Sequence, residues 1–219
     1  MIYICAGLPK SASTICYKYA EAILKNHQKN LIAKGYIYRF GLLNSIGLFF
    51  SSLFGNNVIV KTHDSPSIFV KLLINLTKTK IIFTYRDPRD IILSSINFKP
   101  KNPLQSVFNN HTNIENTIMS VKKEAEKFYK YKKLKNVLFI NYNETVSNPE
   151  NTILNISNYF GINISTADIL TIISAFSKRP VETFNTGKLT RYKEEMTGKE
   201  IDYCNQILGN IIDDMGYEK

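Results

Sequence analysis

Short apolar, β-prone runs alternate along this chain with helical patterns, and that alternation constrains the fold more than any single motif. Met1–Cys5, Gly35–Phe40, Asn57–Lys61, Lys80–Tyr85 and Asn136–Asn141 read as strands. After the first run, Ala12, Ile15, Cys16, Tyr19, Ala20, Ile23 and Leu24 recur at three- and four-residue spacing and fall on one helix face. Further helices are predicted over Ser67–Leu76, from Asp87 as N-cap with Pro88 in the first turn, and over Ile114–Leu134. Others run from Asn148-Pro149-Glu150 through Phe160 and over Ser165–Phe176. Thr197-Gly198-Lys199-Glu200 is a capping box. The helix behind it sets Ile201, Cys204, Leu208, Ile211, Ile212 and Met215 on one face and stops at Gly216. Strands separated by helices call for an α/β fold: a mainly parallel central sheet with helices on both faces, in three layers. No repeat and no linker interrupts the pattern, so residues 1–219 are expected to form a single domain.

In sheets of this kind ligands gather at the carboxyl ends of the strands. Polar clusters follow four of the runs: Pro9-Lys10-Ser11, Thr62-His63-Asp64, Arg86-Asp87 and Tyr142-Asn143-Glu144. The first belongs to Ala6-Gly7-Leu8-Pro9-Lys10-Ser11-Ala12-Ser13-Thr14. A strand, a tight turn and a helix start aim free backbone N–H groups at an anion. Gly7 is expected to tighten the turn and admit a ligand. Lys10 adds a point charge, and Ser11, Ser13 and Thr14 add hydroxyls. Against the Walker A pattern G-x-x-x-x-G-K-[ST], Ala12 stands where the second glycine belongs and Ser13 where the lysine belongs. The lysine has moved to position 10.

Composition narrows the partners only a little. The formal charge is +10, which suits a polyanionic or highly phosphorylated ligand, but a lysine-rich solvated surface explains it as well. Cys5, Cys16 and Cys204 sit in apolar patterns without metal-ligand spacing and read as buried thiols of a reducing compartment, so a cytoplasmic protein is expected. Gly7-Leu8-Pro9-Lys10 breaks the first apolar run too early for a signal peptide. Leu42–Phe54 is interrupted by polar residues and too short for a membrane span, which needs roughly 20 residues. No carboxylate cluster implies a metal. Asn-x-Ser/Thr sites at Asn110, Asn143, Asn155 and Asn163 fit an asparagine-rich chain.

The string Gly-Leu-Pro-Lys-Ser-Ala-Ser-Thr resembles the 5′-phosphosulfate-binding loop of the sulfotransferases, which use 3′-phosphoadenosine 5′-phosphosulfate (PAPS) and release PAP. The resemblance implies a P-loop-like three-layer fold. It also implies that Lys10 meets the bridging oxygen and the sulfonate, and that Ser11, Ala12, Ser13 and Thr14 hold the 5′-phosphate. Thr84-Tyr85-Arg86-Asp87-Pro88-Arg89-Asp90-Ile91-Ile92-Leu93-Ser94 resembles the family's 3′-phosphate motif, with Arg86 and Ser94 in the two binding places. Taken alone, Arg86 reads equally well as the ion-pair partner of Asp87 or Asp90. Val60-Lys61-Thr62-His63 resembles the segment in which the histidine takes the acceptor proton and the lysine faces the sulfonate. An imidazole suits that task near neutral pH. Neither His27 nor His111 follows a strand. Asp64 is a second candidate base. Tyr142 matches a tyrosine near the adenine. Phe184–Lys193 resembles the closing loop over the 3′-phosphate in part: Gly187 and Lys193 match, while Asn185-Thr186, Thr190 and Tyr192 depart, so Lys188 or Arg191 is expected to supply the missing charge.

The expected reaction is therefore an in-line sulfonate transfer from PAPS to a hydroxyl, without a metal. A P-loop nucleotide kinase or small GTP-binding protein is the alternative; it needs a strand-end aspartate for magnesium, and none presents itself cleanly. A nucleic-acid module leaves the ordered motifs unexplained. The acceptor is open between a sugar, a lipid or small alcohol and a peptide tyrosine. Leu42–Phe54 and Asn97–Thr112 are the segments expected to face it.

Overall fold

The computed structural model describes residues 1–96, 114–177 and 188–219. Strands β1 (Ile2–Gly7), β2 (Leu31–Tyr36), β3 (Asn57–Lys61), β4 (Thr79–Tyr85) and β5 (Val137–Asn141) form one sheet in the order β2-β3-β1-β4-β5. Every pairing is parallel. The register sets Cys5 beside Lys61, Gly7 beside Thr84 and Tyr85 beside Asn141, so the polar clusters meet along one edge.

Strand side chains alternate between faces, and the two faces build two cores. Ile2, Ile4, Ala6, Val58, Val60, Ile81 and Phe83 point to one side. There they meet helices α2 (Leu42–Leu53), α3 (Ile68–Leu76), α4 (Pro88–Ile96), α5 (Ile114–Ala125), α6 (Lys127–Lys132) and α11 (Gly198–Asp214). Tyr3, Cys5, Ile59, Ile82 and Ile140 point to the other, against α1 (Ser13–His27), α8 (Pro149–Phe160) and α9 (Thr166–Ser177). Of two short helices, α7 (Tyr142–Ser147) directly follows β5 at the carboxyl edge of the sheet, and α10 (Tyr192–Glu195) packs on α4. The expected α/β layering is present.

The differences from expectation have local causes. The second strand starts four residues earlier than Gly35–Phe40. Its edge position and the register shift at Gly35 leave it a weak pattern. Phe40 is instead a buried loop residue whose N–H donates to Asp64 Oδ2 at 3.0 Å. The apolar window Leu42–Phe54 contains a helix, α2. Ile114–Leu134 divides at Glu126 into α5 and α6. The cluster Tyr142-Asn143-Glu144 opens α7, capped by Asn141 Oδ1 accepting from the Asn143 N–H at 2.7 Å. Asp87 acts as expected: its Oδ1 accepts the Arg89 N–H at 2.9 Å at the start of α4. The capping box of α11 forms as read, with Thr197 and Glu200 exchanging bonds. The three cysteines are buried and free. Among the described residues no helix is long and apolar enough to cross a membrane, and no group of His, Cys, Asp and Glu is placed to hold a metal.

Candidate active site

The turn between β1 and α1 is shaped by its neighbours more than by glycine flexibility. Its left-handed positions are Lys10 (φ 63°) and Ala12 (φ 62°), not Gly7. Gly7 serves another purpose. A Cβ there would lie 1.9 Å from Thr84 Oγ1 on the adjacent strand. That close approach lets the Leu8 N–H reach the Thr84 carbonyl at 2.9 Å. Ser11 is fully buried under the turn, and its hydroxyl is bonded to Leu8 O at 2.6 Å and Thr84 Oγ1 at 2.7 Å. The expected hydroxyl donor at the helix mouth is thus a structural pin, and the side chains left at the mouth are those of Ser13 and Thr14. The first intrahelical bonds of α1 run from Ile15 and Cys16 to the Ala12 carbonyl at 2.9 and 3.1 Å. The N–H groups of Ser13 and Thr14 precede that ladder and face the helix entrance, where the helix dipole favours an anion.

The end of β3 brings two titratable groups to this entrance. Lys61 Nζ donates to Thr14 Oγ1 at 2.7 Å and lies 5.5 Å from the centre of the Tyr36 ring. Burial lowers its pKa to about 8. Burial lowers Lys10 to about 8 as well. His63 Nδ1 is 2.7 Å from the Gly7 carbonyl. A carbonyl only accepts, so Nδ1 carries the proton and Nε2 keeps its lone pair. Nε2 lies 3.5 Å from Ser13 Oγ, at the mouth of α1. Burial first, then the charges of Lys61, Lys127 and Lys10, push the imidazole down to about 3, against the pull of the Gly7 carbonyl. Lys127 Nζ holds the His63 carbonyl at 2.6 Å and pairs with Glu124 at 2.7 Å. The Asp64 carboxylate is turned onto the backbone. Its Oδ2 and Oδ1 accept the N–H groups of Phe40 and Ser65 at 3.0 and 2.8 Å.

The end of β4 supplies a second cationic cluster. Arg86 is buried, and its guanidinium stacks on Tyr142, 3.8 Å from the ring centre. Its Nη2 contacts Asp90 Oδ2 at 3.1 Å and the Lys188 carbonyl at 3.2 Å; Nη1 contacts the Lys10 carbonyl at 3.4 Å. Arg86 Nε is buried with no partner among the described residues. Arg86 thus forms the ion pair with Asp90 and still keeps an unused donor at Nε. Ser94 is buried on α4, two helical turns beyond. Arg191 is engaged by Glu195 through two 2.7 Å bonds, and Lys188 Nζ lies 3.9 Å from Glu194. Lys188 thus reaches Arg86 through its backbone, not its ammonium. Gly187 and the segment Asn97–Thr112 lie outside the described residues.

A family model for the sulfotransferase domain matches residues 3–206. The chain belongs to the sulfotransferase family. No curated protein matches it in sequence. Among solved structures, mouse sulfotransferase SULT7A1 complexed with PAP is similar at 16% identity and TM-score 0.69, covering 97% of this chain and 84% of the other. Retinol dehydratase in complex with androsterone and PAP is similar at 14% identity and TM-score 0.70, covering 100% and 82%. The sulfotransferase domain of the curacin biosynthetic pathway aligns at 12% identity and TM-score 0.56, covering 100% and 98%. These likenesses establish a shared fold.

Within this sulfotransferase, two supporting residues escaped sequence reading. Thr84 sits beneath the first turn and is recognisable only once the β1–β4 register is known. Arg89 is fully buried: it pairs with Asp87, donates to Asn205 Oδ1 at 3.1 Å, and stacks on Tyr192 at 3.9 Å. The signal for it was an arginine two residues beyond an N-cap aspartate, which alone resembles any surface pair.

Proposed function

We propose that this sulfotransferase moves a sulfonate from PAPS to an acceptor hydroxyl, with residues 1–219 acting as one catalytic domain. The observation behind the reading is the meeting of the α1 entrance, the Lys61 ammonium and the Nε2 lone pair of His63 within one cluster of bonds. The chain's residues fit the donor molecule at both ends. Lys10 and the Ser13 and Thr14 N–H groups suit a 5′-phosphate, and the unpartnered Arg86 Nε beside Tyr142 suits a second anion. When bound, PAPS would supply the sulfonate on a 5′-phosphate leaving group.

The residues then divide the work. The α1 entrance and Lys10 offset negative charge on the leaving side. Lys61, held by Thr14, offsets charge on the sulfonate. His63 takes the acceptor proton at Nε2, because the Gly7 carbonyl holds the proton at Nδ1. Arg86 and Ser94 hold the 3′-phosphate, with Tyr142 packing on the guanidinium. Ser11 and Ala12 contribute through the backbone of the turn, and Gly187 and Lys188 belong to the segment that closes this end. A cytoplasmic setting is consistent with three unpaired buried thiols. Among the structural neighbours, retinol dehydratase has been seen with retinol and with androsterone; a small apolar alcohol is one acceptor class for this chain, beside glycan, lipid and peptide hydroxyls.

A magnesium-dependent kinase is not favoured. The Asp64 carboxylate is turned onto backbone N–H groups, and that of Asp87 is paired with Arg89. A competition experiment with PAP, ATP and GTP tests the reading, and PAP should win. Arg86→Ala should weaken PAP binding by about 1.5–3 kcal/mol, the worth of a hydrogen bond to a charged group. Unchanged PAP affinity in a folded Arg86→Ala protein removes that residue from the site.

A further inference from the structure

Two neighbouring helices leave a broad apolar face uncovered. On α2, Leu42, Leu43, Ile46, Phe50 and Leu53 are 42–84% exposed, and Phe54 just beyond is 80% exposed. On α3, Ile68, Leu72 and Leu76 form a stripe at four-residue spacing, each 48–68% exposed. The two helices pack on the same side of the sheet and against each other. Scattered exposed apolar residues are ordinary, but a contiguous set on adjacent elements marks a contact surface.

The exposed charges on the segments that build this face are of one sign. Lys34, Arg39, Lys71 and Lys78 are exposed; Lys71 lies on α3, and the others lie on the segments leading into α2 or out of α3. The Lys34 ammonium lies against α2 itself, 3.8 Å from where a Cβ on Gly47 would stand. Between Glu21 and Asp87 the sequence holds one acidic residue, Asp64, and its carboxylate is turned inward onto the backbone. A second copy seated face to face would bring these cations together with no acid to meet them. An anionic, apolar surface meets both requirements at once.

We infer that the α2–α3 face docks this protein on an anionic lipid bilayer. Leu43, Phe50, Phe54, Ile68 and Leu72 enter the acyl boundary, and the surrounding lysines meet the lipid headgroups, the arrangement by which amphipathic surfaces bind membranes. Tyr36 and Tyr38, about half exposed, stand at the edge of the face and suit the interfacial zone. Both helices start at the carboxyl edge of the sheet. Leu42, Leu43 and Ile68 therefore bring the docked face up to the edge that carries His63. The Tyr38 and Tyr36 rings, 6.2 Å apart, lead to the His63 ring at 5.6 Å.

Vesicle co-sedimentation of the full chain tests this without any assay of sulfonate transfer, so its result is separate from that of the proposed reaction. Vesicles of phosphatidylcholine alone should bind little protein. An equimolar mixture with phosphatidylglycerol should bind it, less so as salt rises. Phe50→Ser with Leu72→Ser, and separately Lys34→Glu with Lys71→Glu, should each lower partitioning more than about tenfold while circular dichroism stays unchanged. Absence of binding to the phosphatidylglycerol-containing vesicles overturns the inference. So does binding that the lysine variant abolishes and the apolar variant leaves intact, since charge alone would then explain it. A dimer in sedimentation velocity that the apolar variant dissociates would show that a second copy covers the face, and would overturn it as well.

Discussion

Burial and three neighbouring lysines hold the His63 imidazole neutral well below the pH at which a free histidine charges. As the proposed base it acts when neutral, so turnover should fall as pH drops through the folded-state value. For the free protein, which kcat/KM reports, that acid limb should lie far below 6.5. The basic side is set by the lysines. Lys10 and Lys61, each lowered to about 8 by burial, lose their charge above that pH, and kcat/KM should fall there. Replacing Lys61 with methionine removes a like charge and should move the acid limb upward. It should still stay below 6.5, because burial is the larger cause. His63→Ala should cut kcat by about 10²–10⁴-fold, the usual worth of a general base. A variant that keeps its turnover and its acid limb would place the base elsewhere, and Asp64→Asn would be the next variant to measure.

At the scale of single elements, the β1–α1 turn depends on how closely two strands approach. Gly7→Ala places a methyl 1.9 Å from Thr84 Oγ1 and 2.9 Å from the Thr84 carbonyl. The hydroxyl can rotate away, but the carbonyl is backbone. The substitution should destabilise the fold by about 1–3 kcal/mol or more, as overpacking does. It should also release Ser11, which bonds to the same threonine. Urea unfolding checks this, and an unchanged midpoint would mean that the strands part more easily than their register indicates. The same turn shows what sequence can and cannot reveal. Its place between a strand and a helix was legible, because apolar periodicity marks both. The division of labour within it was not: the glycine serves a neighbouring strand, and Ser11 faces inward. Both facts depend on β4, which follows some seventy residues later. Helices with strong caps, at Thr197, Asn148 and Asp87, were readable because a cap is a local bond. The edge strand β2 and the break at Glu126 were not, because an exposed strand loses its apolar alternation and a short interruption leaves helical periodicity nearly intact.

Across the whole molecule, the C-terminal part is fastened to the carboxyl edge of the sheet by paired arginines and tyrosines. Arg86 stacks on Tyr142 and binds the Lys188 carbonyl; Asp90, on the other side of Arg86, accepts the Tyr192 N–H at 3.1 Å. Arg89 stacks on Tyr192, reaches Asn205 on α11, and donates to the Glu218 carbonyl near the chain end. One fully buried guanidinium thus joins α4, α10, α11 and the C-terminal tail. Asp87 accepts from it through Oδ1 at 3.0 Å and Oδ2 at 2.7 Å. Removing the cation alone strands a buried carboxylate, which typically costs about 3–5 kcal/mol. Arg89→Met should therefore lower stability by that order. The double change Asp87→Asn with Arg89→Met should cost clearly less than the sum of the two single changes, because it removes both charges of the pair. PAP affinity supplies a second reading. Arg89 touches neither proposed phosphate site directly, yet Tyr192 links it to Asp90 and so to Arg86. Arg89→Met should weaken PAP binding severalfold at a temperature where the protein is still folded, while a destabilising change in the core under α8, such as Ile156→Ala, should not. Equal effects of the two on PAP binding would reduce Arg89 to a general contributor to stability.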